Sequence, residues 1–283
     1  MWPPPAVAAP SAVQSWPPAW YPDPWYPGAV RWWDGGAWTG HAAYPRATRA
    51  REPFRTLPQA AAWFGLAVTA ATLIGARLGL EFLGRFDWPI IVYAVLAALL
   101  GYGPMVAYCW WASRRWGSGD VPADIGVRVR WSDLGWGPIV WLSAWAGGIV
   151  AAIVVLATRI PIKSNTDGIN EWSGDRGVLI AFLIVAVVVA PIVEELMFRG
   201  VVLRGLASVA PIWLAVAGQG AFFGVAHADP VRGWGNLGLI LVLGAVGSVF
   251  GGAAYLLRRI GPTMIAHGLY NAAVMAIVLL VDA

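Results

Sequence analysis

A chain of 283 residues in which 59% are hydrophobic and only 12% charged, with a mean hydropathy of +0.64, is too apolar for a water-soluble domain and reads as an integral membrane protein. Its net charge of +4 would suggest nucleic acid in a soluble chain, but the arginines stand at the ends of apolar segments, where membrane topology accounts for them, so nucleic-acid binding is set aside. The single cysteine, Cys109, excludes an internal disulfide and a multi-cysteine zinc site.

In chain order, the Pro-rich residues 1–15 predict a disordered tail, and no basic n-region precedes an apolar stretch there, so the first membrane helix is expected to serve as the signal. Residues 16–42 alternate aromatic stretches with the turn signals Pro22-Asp23-Pro24 and Asp34-Gly35-Gly36, which predicts a two- or three-stranded unit stabilised by packed tryptophans, with His41 exposed. On Tyr21 to Pro24 and Arg31-Trp32-Trp33-Asp34-Gly35 through Trp38, the stretch resembles a short Trp-rich module of unknown function found at the cytoplasmic N-termini of actinobacterial membrane proteins. A basic linker over 43–57 carries Arg46, Arg49, Arg51 and Arg55.

From residue 58 to 283 seven apolar segments follow, at about 59–82, 88–112, 137–158, 178–204, 209–228, 236–257 and 261–281, predicting an all-α polytopic transmembrane bundle. Gly147-Gly148 and Gly251-Gly252 suit close helix packing, and Trp110, Trp111, Trp131 and Trp136 read as interfacial anchors. With the N-terminus cytoplasmic, the cytoplasmic side collects 13 Lys and Arg against 6, the bias expected of a multi-pass protein of the bacterial plasma membrane.

The fourth segment contains Glu194-Glu195-Leu196-Met197-Phe198-Arg199. Carboxylates at membrane depth cost several kcal/mol and mark function by default. Residues four apart share a helical face, so Arg199 can neutralise Glu195, whereas Glu194, about 100° round the helix, has no local partner. Two of the three histidines also lie in apolar segments: His227, and His267 four residues before Asn271 on one face. One free carboxylate, two imidazoles and a carboxamide are the parts for activating water within a catalytic core at about 178–281. Without a metal, Glu194 is the general base on a water held by His227, and His267 with Asn271 stabilises an oxyanion. With Zn²⁺ or another divalent metal, Glu194, His227 and His267 are three ligands that leave a position open for water. Both routes hydrolyse a peptide bond.

At these residues the chain resembles the CAAX protease and bacteriocin-processing (CPBP, abortive-infection) intramembrane endopeptidases. The family's paired glutamates followed by arginine stand here as Glu194-Glu195 and Arg199, its aromatic separated by three residues from histidine as Phe223 and His227, and its histidine and asparagine as His267 and Asn271. The resemblance covers roughly residues 90–281. It implies a helical membrane fold whose conical cavity opens toward the cytoplasm and the bilayer, with Glu194 as base, His227 sharing the water, His267 and Asn271 at the oxyanion, and Glu195 and Arg199 supporting. It leaves the metal open, and the substrate it implies is a membrane-associated protein or peptide cut near the cytoplasmic face.

One placement conflicts with a shared site: His227 falls at the outer end of its segment, which would require irregular backbone around Gly218-Gln219-Gly220 and Asp229-Pro230. Two other classes compete with the protease. An immunity or peptide-binding protein of the same fold would bind without cutting, and a proton- or cation-coupled transporter would also use intramembrane Glu and His, although no internal repeat is evident. Asp87, Asp120, Asp124 and Asp133 stand in loop-like sequence and read as structural.

Overall fold

The computed structural model describes residues 16–44, 53–164, 166 and 176–281, in two compact units divided between Glu52 and Pro53. The tail at 1–15 and most of the basic linker at 43–57 lie outside the described residues.

In the first unit β1 (Ala19–Pro22), β2 (Val30–Trp33) and β3 (Trp38–Ala43) form an antiparallel sheet in sequential order. Its core is aromatic: the Trp38 ring meets those of Trp16, Tyr21, Trp25 and Trp33 edge-on, at centroid distances of 5.3 to 6.5 Å. The predicted turn signals act through their aspartates. Asp23 accepts from the N–H groups of Trp25 and Tyr26 and from Arg31 Nε, and Asp34 accepts from those of Gly36 and Ala37, with Gly35 at φ 101°. His41 is exposed.

The second unit is a helical bundle: α1 (Gln59–Leu83), α2 (Ile90–Trp116), the short α3 (Val121–Ile125), α4 (Asp133–Ala157), α5 (Arg176–Leu206), α6 (Ile212–Ala226), α7 (Asn236–Leu257) and α8 (Gly261–Val281). Among the described residues six of these are long and apolar enough to cross a bilayer. Pro58, Pro89 and Pro211 stand immediately before α1, α2 and α6, where their fixed φ suits a helix entry. At one end of the bundle the Leu57 N–H donates to the Arg204 carbonyl, the Ile260 N–H donates to the Gly126 carbonyl, and Arg259 pairs with the buried Asp133 at 2.6 Å. This Arg-rich end gathers the starts of α1, α4, α6 and α8 with the ends of α2, α5 and α7. At the opposite end the Lys163 N–H bonds to the Gly235 carbonyl and the Gly238 N–H to the Pro161 carbonyl.

The fifth predicted span needs correction. With 15 residues α6 is about 22 Å long, short of the ~30 Å hydrocarbon core. The chain leaves the helix at His227 and passes through a 3₁₀ segment, Pro230–Gly235, before α7, so the helix that His227 ends is too short to cross the core by itself. Irregular backbone occurs at Asp229-Pro230 but not at Gly218-Gln219-Gly220, which are regular helix. The glycines there serve packing instead: a Cβ on Gly220 would lie 2.6 Å from the Gly244 carbonyl, and one on Gly224 would strike that of Ile240, so α6 and α7 meet backbone to backbone.

Within α5 two widened turns, Val185–Val189 and Leu196–Val202, flank Glu194 and Glu195. Pro191 accounts for the first. It has no N–H for the Val187 carbonyl four residues earlier, and the helix loosens so that the Ala190 N–H reaches back to the Val185 carbonyl. Helix α8 docks on the carbonyls this exposes. Gly268 leaves room beside the Val187 carbonyl, which a Cβ there would approach to 2.8 Å, and Asn271 Nδ2 donates to the Ala186 carbonyl at 2.8 Å.

Candidate active site

The six singled-out residues come from three elements. Glu194, Glu195 and Arg199 stand between the widened turns of α5, His227 ends α6, and His267 and Asn271 lie on α8. Glu195 and Arg199 are fully buried and paired at 2.8 Å. The guanidinium also donates to the Gly247 carbonyl at 3.1 Å and sits among aromatic rings, 4.5 Å from the centroid of Phe223 and 5.2 Å from that of Phe250. A desolvated Arg is tolerable in such a setting because carboxylate, carbonyl and ring faces all oppose its charge. Gln219 Nε2 donates to the same Gly247 carbonyl at 2.7 Å.

Both imidazoles are oriented through Nδ1. His267 Nδ1 lies 3.1 Å from Glu195 Oε1, an ionised acceptor, so Nδ1 carries the proton. His227 Nδ1 lies 2.8 Å from the Phe223 carbonyl, one turn back. That carbonyl is available because the His227 backbone N–H turns instead to Gly224 as the helix ends. The four-residue step from Phe223 to His227 is thus the step that lets a terminal histidine bond to a vacated carbonyl.

With Nδ1 protonated in both rings, each neutral imidazole presents an Nε2 lone pair. Both face one atom: Glu194 Oε2 lies 3.8 Å from His227 Nε2 and 3.7 Å from His267 Nε2, and it is buried without a hydrogen-bond partner in the protein. Three acceptors therefore converge with no donor among them. The immediate cluster also holds two carboxylates against one guanidinium, so it is one positive charge short in a low-dielectric setting. Asn271 is less free than its sequence position suggests, since one of its amide protons is committed to Ala186.

These groups form the floor of a cavity of about 1380 Å³, lined by α1, α2, α4, α5, α6, α7, α8 and the 162–164 segment. The loop after His227 is tied from several sides. Arg232 donates to the carbonyls of His227 and Ser164, Asn236 bonds both the N–H and the carbonyl of Asp229, and Arg77 of α1 reaches Asp229 at 3.2 Å. The Val231 N–H, followed by Arg77 working against partial burial, holds the Asp229 carboxyl below its ordinary value.

Residues 176–273 match the family described as type II CAAX prenyl endopeptidase Rce1-like. The chain carries an Rce1-like domain. Residues 18–52 match a protein family of unknown function, DUF2510, and no curated protein and no solved structure matches the chain. The Rce1-like domain spans α5 to most of α8 and therefore includes every residue of the cluster. The match covers about a third of the chain and supports a membrane-embedded protease function broadly.

Sequence reasoning missed the aromatic cage of Arg199, the anchoring of Gln219 and Arg199 on one carbonyl, and the role of Pro191. Two of these had a signal: a proline three residues before an intramembrane acid, and a lone carboxamide in an apolar helix. Arg204, near the end of α5, is 1% exposed, stacks on Phe54 and donates to the Arg55 carbonyl.

Proposed function

We propose that the protein is an intramembrane endopeptidase that hydrolyses a peptide bond of a membrane-associated protein or peptide with a water activated by Glu194. The observation that carries this reading is the orphaned Glu194 Oε2 facing the Nε2 atoms of His227 and His267 at the floor of a large apolar cavity. A water between them donates one proton to Glu194 and one to His227, which points an oxygen lone pair into the cavity. Glu194 takes the first proton as the water oxygen bonds to the carbonyl carbon. The resulting oxyanion accepts hydrogen bonds from the second amide proton of Asn271 and from Nε2 of His267, where the one extra proton that offsets the cluster's charge deficit resides during the attack, with Glu195 opposing the imidazolium charge at Nδ1. Glu194 then passes its proton to the amide nitrogen as the C–N bond breaks, and the products are a carboxylic acid and an amine.

The donor set also fits a divalent metal in its chemistry: two histidines and a glutamate, with each histidine bonded behind by a carboxylate or a carbonyl. Glu194, His227 and His267 would hold it, and when bound it would lower the pKa of a coordinated water and polarise the substrate carbonyl.

The test is cleavage of a peptide library or of membrane proteins by purified protein in lipid. Glu194→Ala and His227→Ala should each lower turnover by roughly 10²- to 10⁴-fold while inserting and folding normally. Normal activity in either variant would sink the assignment, and binding without turnover by the wild type would favour a peptide-binding or immunity role.

A further inference from the structure

Two arginines share one aromatic ring at the Arg-rich end of the bundle. The guanidinium of Arg204, near the end of α5, lies 4.4 Å from the ring centroid of Phe54, in the segment that enters α1, and that of Arg258, directly after α7, lies 5.8 Å from the same centroid. Arg258 also lies 4.4 Å from the ring of Tyr255, which packs edge-on against Phe54 at 5.1 Å. Ring faces attract both cations, but among the described residues neither guanidinium is bonded to a carboxylate. Arg204 donates to the Arg55 carbonyl, whereas the half-buried Arg258 makes no hydrogen bond through its guanidinium among the described residues.

The surroundings add to the positive charge. Arg55 and Arg128 are close enough to act on the charge of Arg204, and the acid that opposes them, Asp124, already accepts from Ser113, Ser118 and Gly119, with Arg55 at 3.5 Å. Like charges gathered at the edge of a low-dielectric region repel one another. The backbone carries a second signal. Arg258 has φ 60° and ψ 19°, the left-handed conformation in which glycine commonly ends a helix and an L side chain is strained. A cation at this position would ordinarily be explained by the exposed carbonyls of the helix end, but Arg259 answers those by donating to the Leu257 carbonyl at 3.2 Å. The strained Arg258 is left with aromatic rings as neighbours and its N–H groups unused.

We propose that the Arg258 guanidinium, backed by the charge of Arg204, holds the phosphate of an anionic phospholipid headgroup beside Phe54 and Tyr255. Position and chemistry both favour this ligand. Helices α5 and α7 end here and α1 begins here, and all three are long and apolar enough to cross a bilayer, which sets the cluster at headgroup level. The planar guanidinium fork matches two phosphate oxygens, and Tyr255 supplies the amphipathic ring characteristic of the membrane interface. A zwitterionic lipid also carries a phosphate, but its own ammonium cancels the charge, whereas an anionic lipid supplies the net negative charge that offsets the repulsion among the arginines. Bound there, it ties the entry of α1 to the ends of α5 and α7 and stabilises the bundle.

The test is thermal unfolding of the full-length protein in a neutral detergent, titrated with phosphatidylglycerol, phosphatidylcholine or inorganic phosphate. Phosphatidylglycerol should raise the melting temperature to a plateau, and the other two should not. Arg258→Gln should raise the phosphatidylglycerol concentration at half effect by roughly tenfold or more, the scale of a lost charge-assisted hydrogen bond. Arg258→Gly removes the strained side chain altogether, so it serves even where Arg258→Gln fails to fold: without lipid it should be at least as stable as wild type, and it should show the same weakened response. Arg159, exposed and also left-handed at φ 57°, stands at the opposite end of the bundle and provides a control of equal charge. Arg159→Gln should respond as wild type does. An equal response to phosphatidylcholine, the same protection by inorganic phosphate, an undiminished response in Arg258→Gly, or an equal loss in Arg159→Gln would each overturn the site.

Discussion

Nδ1 of His267 lies 3.1 Å from Oε1 of Glu195, the same oxygen that receives the Arg199 guanidinium at 2.8 Å. One carboxylate oxygen therefore fixes a cation and the tautomer of a second residue at once, and it couples the structural pair to the ring that faces Glu194. Glu195→Gln keeps the shape but removes the charge. It should lower stability by about 3–5 kcal/mol, because the buried Arg199 loses its counter-charge. It should also lower turnover, because His267 loses the ionised acceptor that orients its ring. Thermal unfolding in detergent together with a turnover assay checks both parts; unchanged turnover would leave Glu195 with a purely structural role.

Pro191 sets the backbone on which Asn271 docks. Pro191→Ala restores an N–H for the Val187 carbonyl and favours a regular helix in place of the widened turn, which withdraws the Ala186 carbonyl from Asn271. Helix propensity alone says the variant should be the more stable. The expected result is a protein at least as stable as wild type whose turnover falls on the order of 10²-fold, the scale of an ångström-level misplacement. Full activity would mean that Asn271 needs no anchor on α5.

The spans and the carboxylate pair were legible because apolar length and intramembrane charge are strong signals: α1, α2, α4, α5, α7 and α8 fall within a few residues of their predicted bounds. The short α6 was not. Its apolar run continues past Ala226 through His227, and hydropathy does not register that the helix stops there. The convergence of Glu194, His227 and His267 was expected from the resemblance, whereas the orientation of each ring depended on the Phe223 carbonyl and Glu195 Oε1, which spacing alone does not reveal. The end of the bundle at which the cavity lies was hidden for the same reason. It depends on which halves of α2, α5 and α8 separate, a property of packing between distant segments.

Asp124 of α3 gives a prediction for acid stability. Burial disfavours its charge, but the hydroxyls of Ser113 and Ser118 and the N–H groups of Ser118 and Gly119 outweigh burial and hold the carboxyl below its usual 3.8. A depressed native value stabilises the fold above the unfolded value, and the contribution is lost as pH falls through the native one. Wild-type stability should therefore decline below about pH 4 through this group, whereas Asp124→Asn should be less stable at neutral pH, by about 1–3 kcal/mol, with a flatter acid limb. Melting temperatures measured across that window compare the two directly, and parallel curves would remove Asp124 from the account.

The last prediction concerns what meets the three acceptors. Two ligands about 2.1 Å from a tetrahedral zinc are separated by roughly 3.4 Å, whereas Glu194 Oε2 stands 3.7 and 3.8 Å from the two Nε2 atoms. The charge deficit of the cluster is a single unit, which one proton shared among Glu194, His227 and His267 supplies, while a divalent ion would leave an excess of one. Turnover should accordingly survive exhaustive dialysis against a chelator, with substoichiometric metal in the active protein. Stoichiometric zinc that leaves together with activity, and restores it on return, would recast Glu194 from base to ligand. His227→Gln sharpens the comparison. A carboxamide can still hold a water but is a poor zinc ligand, so partial activity in that variant favours the proton and complete loss of both metal and turnover favours the ion.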